Sequence, residues 1–120
     1  MFSDLIGAQR LPGPPGSGQA AMELVVDDRH RNVMGIVHGG VIMTLCDEAL
    51  GLAVFTLLGE EEKAVTAEFK VNFLHPVLQG RLRATAQVVH QGHHLVVGRS
   101  ELRDDAGQLL AIGQGTYFVA

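Results

Sequence analysis

Residues 32–54 read NVMGIVHGGVIMTLCDEALGLAV, and the reading of this stretch decides the fold. From Gly40 to about Leu58 there is neither a proline nor a polar cluster, and its Ala, Leu and Met favour helix over strand. One long helix is expected, ended by LGEEEK. It is apolar around most of its circumference, so whatever packs on it has to curl around it. Yet the stretch opens on Asn32, His38 and two glycines, and it carries Asp47-Glu48 in its middle. A helix that only filled a core would not need them.

The flanks supply the wrapping. Residues 20–27, AAMELVVD, read as a strand before the helix, and PGPPGSG at 12–18 reads as a connector after a short N-terminal segment. Beyond the helix, residues 64–74 alternate Phe69, Val71 and Phe73 with Glu68, Lys70 and Asn72, a half-buried strand stopped by His75-Pro76. RLRATAQVVH at 81–90 keeps that period, QGHH turns the chain, LVVGRSELR returns, and DDAG turns it again into a closing strand, QLLAIGQGTYFVA. The expected order is a strand, one helix, then a meander of four strands, in a single α+β domain over 1–120 with the helix laid on one face of an antiparallel sheet.

Composition bounds the function. The chain is 47% hydrophobic and only 18% charged, with a mean hydropathy of +0.20. A surface so poor in charge points to an oligomer in which another copy covers part of it. A formal net charge of −4 argues against a nucleic-acid partner. One cysteine, Cys46, leaves no intrachain disulfide and no CxxC metal or redox site. That count, and an N-terminus without a basic and apolar leader, fit a reducing, cytoplasmic setting. Thr44, Asp47, Glu48 and flanking glycines interrupt the apolar run, so a membrane span is not expected.

The polar residues of the stretch have a chemistry of their own. At 100° per residue, Gly40, Thr44, Asp47, Glu48 and Gly51 share one stripe. Either the stripe is solvated, or its glycines admit a close neighbour, since each costs ~1 kcal/mol against Ala on a plain helix face. His38-Gly39-Gly40 sits where the chain enters the helix. Its free N–H groups, at the positive end of the helix dipole, can hold a carbonyl oxygen that gains negative charge. Asp47 is the matching carboxylate, as nucleophile or as acceptor of a proton from water. Residues 38 and 47 lie about 13 Å apart along the axis and on opposite sides of it. If both act on one carbonyl, a second subunit has to supply one of them, across a two-fold axis.

Asn32, Gly35, His38-Gly39-Gly40 and Leu45-x-Asp47 together resemble the signature of hotdog-fold thioesterases of the PaaI (phenylacetate-pathway) type. The wrapped helix, the VNFLHP strand end and the closing GQLLAIGQGTYF are also similar to that family. The resemblance implies a hotdog fold and a cofactor-free, metal-free hydrolase of acyl-CoA thioesters, working as a dimer or as a homotetramer, a dimer of dimers. By position it implies Asp47 as nucleophile or general base and the Gly39 N–H as polariser of the carbonyl, with Gly40 beside it against the substrate. Asn32 and His38 would support that end by hydrogen bonds to the substrate or to the turn. Thr66 would orient water or the carboxylate, or be only a strand threonine. Arg81, Arg83, Arg99 and Lys70 would meet the phosphates of coenzyme A, or simply form the charged face of the sheet.

Other residues have plainer readings. Glu48 sits 100° round from Asp47 and reads as a rim residue. Cys46, on the apolar side beside a carboxylate, lacks the surroundings that favour a thiolate. His90, His93 and His94 flank a glycine turn without a carboxylate in register, and His30 and His75 fall in loops without evident partners. Two other functions compete: a hotdog hydratase or dehydratase of enoyl or 3-hydroxyacyl thioesters, which wants a basic His near the α-carbon, and a non-catalytic acyl-CoA-binding domain.

Overall fold

The computed structural model describes residues 1–120. A short helix α1 (Phe2–Leu5) and strands β1 (Gln9–Pro12) and β2 (Gln19–Val25) precede the long helix α2 (Gly39–Phe55). Strands β3 (Ala64–Phe73), β4 (Arg81–Gln91), β5 (Leu95–Asp104) and β6 (Leu109–Val119) follow. All six strands form one antiparallel sheet in the order β1-β2-β4-β5-β6-β3. It wraps α2, which gives the hotdog arrangement that the apolar helix demanded.

The buried face of α2 is Ile42, Leu45, Cys46, Ala49, Leu50, Ala53 and Val54, at the i, i+3, i+4, i+7 spacing of one helix face. Burial of Leu45 and of Leu50, both fully enclosed, contributes about 1.5–3 kcal/mol each. The sheet is hollowed to receive them. A Cβ on Gly98 would overlap the Leu50 side chain, and one on Gly115 would overlap the Phe69 ring. Ser100, buried at the middle of β5, donates from Oγ to the main-chain carbonyl of Cys46 at 2.7 Å and pins the helix to the sheet.

Two expectations about the strands need correction. The strands after the helix are not a simple four-strand meander: β4, β5 and β6 are, but β3 lies on the far edge, paired with β6. The segment between β3 and β4 contains His75-Pro76 and is too long for a tight hairpin. It crosses over, and β2 takes the place beside β4. Nor is the N-terminal part only a segment and a connector. Residues 9–12 pair with β2, so the first proline of the turn-rich run closes an edge strand, where a missing N–H is tolerated.

His30, read as a loop residue without partners, is in fact buried. Its Nδ1 accepts from the Asp27 N–H at 2.9 Å, and its Nε2 donates to the Ile6 carbonyl at 2.6 Å. It ties the N-terminal segment to the approach to α2.

Candidate active site

The entry to α2 is built locally. Asn32 Oδ1 accepts from the N–H groups of Met34 (2.9 Å) and Ile36 (3.2 Å), and Gly35 takes the positive φ, +78°, that this turn requires. The His38 N–H donates to the His30 carbonyl at 2.8 Å, and His38 is the N-cap of α2: its Nδ1 accepts from the Gly40 N–H at 2.8 Å. A Cβ at position 40 would meet that imidazole at 2.9 Å, which explains the second glycine. Asn32 and His38 therefore hold the turn rather than standing free.

The Gly40 N–H, expected to face a substrate, is already used by His38. The Gly39 N–H has no partner within the chain, as a first-turn donor ordinarily lacks. Gly39 borders a cavity of about 330 Å³ with Ile42, Phe73, His75 and Pro76 among its walls.

Asp47 lies two turns further along, and distant parts of the chain hold it. Thr66 Oγ1 donates to Asp47 Oδ1 at 3.0 Å and is 3.3 Å from Oδ2. Tyr117 from β6 places its hydroxyl 2.6 Å from Oδ1 and 2.6 Å from the Asp47 carbonyl oxygen. Tyr117 is not among the site residues that the sequence suggests. The one signal was Gly51: a Cβ there would come within 2.9 Å of the Tyr117 hydroxyl. The close neighbour that this glycine admits is the chain's own tyrosine. Burial, and then the bond to Asp47, push the phenol well above its ordinary range, so it remains a donor.

Thr66 reaches Asp47 because β3 is bulged. Thr66 pairs with Tyr117 and Glu68 with Thr116, leaving Ala67 without an opposite residue. The extra residue reverses the in-and-out alternation, so Thr66 points to the helix on the same side as Phe69 and Val71. Simple alternation back from Phe69 would turn it outward. The Asp47 cavity, about 420 Å³, is also lined by Ser3, Arg10, Glu48 and Gly51. It shares no wall residue with the Gly39 cavity.

A carboxylate held by two hydroxyls, and a free N–H at a helix start, are the parts needed to attack a carbonyl and steady the charge that develops. The sequence pattern of the thioesterase superfamily matches residues 34–111, which include Gly39, Asp47 and Thr66 and stop short of Tyr117.

The chain belongs to the thioesterase superfamily.

As a member it is a thioester hydrolase. It is 31% identical over 103 residues to acyl-coenzyme A thioesterase 13 of Pongo abelii, covering 82% of this chain and 71% of that protein. Among solved structures, a conserved protein from Pseudomonas aeruginosa superposes with a TM-score of 0.93 at 33% identity, covering 99% of this chain and 93% of the other. A mutant of the phenylacetic acid degradation protein PaaI from Thermus thermophilus superposes with a TM-score of 0.86 at 28% identity, covering 98% and 96%. The chain is thus PaaI-like, as its signature suggested.

Around this candidate site the remaining residues fall into place. Cys46 is fully enclosed, and burial first, then the charge of Asp47, push its thiol up to about 12. It is neither exposed nor ionised near neutrality. Arg81 and Arg99 are on the outward face of the sheet, as their alternation with buried Leu82, Gly98 and Ser100 requires. Arg81 lies 3.5 Å from Glu23, which also binds Arg83 at 2.8 Å, whereas Arg99 makes no ion pair. The structure does not gather either of them with Asp47 or Gly39. No group of three or more His, Cys, Asp or Glu is arranged to hold a metal, and no helix is long and apolar enough to cross a membrane.

Proposed function

We propose that the protein hydrolyses acyl-CoA thioesters to the free acid and coenzyme A, with the Asp47 carboxylate of one subunit and the Gly39 N–H of the partner subunit acting on one carbonyl. The observation that carries this reading is the separation of two complementary half-sites. Eight residues of helix put Gly39 and Asp47 about 12 Å apart along α2, and they open into different cavities. An oxyanion donor must come within about 3 Å of the reacting oxygen. Two antiparallel copies of α2 around a two-fold axis would bring each Asp47 to the other chain's Gly39 and make two equal sites.

The surface supports such a pairing. Strand β3 is a ten-residue sheet edge without a neighbour on one side, the kind of edge that invites a second chain. Val65 and Phe73 on it, and Val33 and Met34 on the loop before α2, are exposed apolar residues. A dimer, or a dimer of dimers, would cover them. A reducing, cytoplasmic setting suits the unpaired Cys46.

The chemistry needs no metal. The thioester oxygen accepts the Gly39 N–H and becomes more electrophilic at carbon. Asp47 then either attacks that carbon, giving an acyl–aspartyl anhydride that water later opens, or takes a proton from water as its oxygen attacks. In both routes the C–S bond breaks with its electron pair leaving on sulfur, and the products are the acid and the thiol. Arg99, unpaired and exposed, is better placed than Arg81 or Arg83 to meet a nucleotide phosphate, since each of those would first have to part from Glu23.

The test is thiol release from a panel of aryl- and fatty-acyl-CoA thioesters by the wild type and Asp47→Ala. A loss of about 10²-fold or more in the variant is expected. Equal rates would sink the carboxylate mechanism, and tight acyl-CoA binding without turnover would make the protein a binding domain.

A further inference from the structure

We infer that Tyr117 is a positioning residue which, with Thr66, anchors Oδ1 of Asp47 and so leaves Oδ2 as the oxygen that acts on the thioester or on water. The inference rests on the reading of Asp47 as the catalytic carboxylate and assigns separate tasks to its two oxygens. The hydrogen bonds are unequal. Oδ1 lies 2.6 Å from the Tyr117 hydroxyl and 3.0 Å from Thr66 Oγ1, whereas Oδ2 has only the longer 3.3 Å approach of Thr66. The hydroxyl lies equally close, 2.6 Å, to the Asp47 main-chain carbonyl, but its single proton goes to the charged Oδ1, because a charge-assisted O–H···O⁻ bond is about twice as strong as a neutral one.

The phenol is built to stay there. Its ring is buried, with the residue 6% exposed, and a buried tyrosine hydroxyl needs a partner. Gly51 leaves the notch into which that hydroxyl fits, because a Cβ would stand 2.9 Å from the oxygen and 3.4 Å from the ring. The raised phenol keeps its proton over the whole range in which an aspartate works as a base, so the anchor does not titrate away. Without it, rotation about χ2 exchanges the two carboxylate oxygens, for terminal sp³–sp² torsions are broad and roughly two-fold. With it, one oxygen is held by the hydroxyls of the sheet and the other is left the less bonded of the two. Positioning of that kind acts on the chemical step.

The experiment compares Tyr117→Phe, Gly51→Ala and the double variant in thiol release, with Asp47→Ala assayed alongside and the melting temperature of each recorded. Tyr117→Phe is expected to lower kcat about tenfold while KM and melting temperature stay close to wild type. Gly51→Ala, which pushes the hydroxyl away, is expected to lower kcat similarly. In the Tyr117→Phe background it should add little, because the atom it displaces is gone. Full kcat in Tyr117→Phe while Asp47→Ala is inactive would overturn the positioning role and leave the carboxylate reading standing. So would a rise in KM alone, or losses from the two substitutions that simply multiply. Turnover by Asp47→Ala at the wild-type rate would overturn both.

Discussion

The two halves of the site differ in how far the chain must travel to make them. At the start of α2, Asn32, Gly35, His38, Gly39 and Gly40 lie within nine residues, and most hydrogen bonds that shape the turn join residues two to four apart, with two longer reaches, from His38 to His30 and from Val37 to Val77. In the middle of the helix, Asp47 is held by residues 19 and 70 positions away. Local rules of turns and caps govern the first half, while the second depends on the whole sheet closing in register. A motif can spell out the donor end of such a site. The carboxylate end has to be folded.

The sharpest way to break the comparison is to remove the donor without disturbing its turn. Gly39→Pro does so, because the first helical position tolerates proline and the extended backbone of His38, ψ 136°, is what a following proline favours. A loss of about 10²–10³-fold in kcat is expected, with Gly39→Ala, which keeps the N–H, as the mild control. Mixing subunits carrying Asp47→Ala with subunits carrying Gly39→Pro then tests whether the halves meet between chains. Each mixed dimer would hold one intact site, so about a quarter of wild-type activity should return on random exchange. If the halves met within one chain, nothing would return.

A smaller effect is expected at Thr66, the other hydroxyl on the carboxylate. Thr66→Val keeps the shape and removes the donor, and a drop of about tenfold in kcat is expected from losing a bond to a charged group. An unchanged rate would leave Thr66 as an ordinary strand residue. Smallest is Ser100→Ala, which removes the buried bond to the Cys46 carbonyl. It should cost about 1 kcal/mol, a few degrees in melting temperature, with kcat per folded molecule preserved. A large loss of activity there would mean that the position of α2 on the sheet, and not only its two ends, is tuned for catalysis.

Much of the fold was legible because hydrophobic periodicity reports burial directly. Helix α2 and the four strands after it lie close to where the pattern puts them, with the helix running over 39–55 against an expected Gly40 to about Leu58. The order of those strands in the sheet was not legible. Periodicity says that β3 has one buried face and is silent about which strand lies beside it. The same limit hid His30, since a lone polar residue in a loop gives no sign that the N-terminal segment will fold over it.

The sequence by itself determined that one apolar helix would be wrapped by an antiparallel sheet, that its start would present free N–H donors, and that a carboxylate would sit two turns along. These follow from side-chain period and from backbone groups that lack local partners. Only the tertiary structure decided what holds that carboxylate. A single unpaired residue, Ala67, reverses the pleat and turns Thr66 inward, and a glycine on the helix admits a tyrosine from the last strand. Both are matters of register and of space between elements far apart in the chain, and no local pattern encodes them.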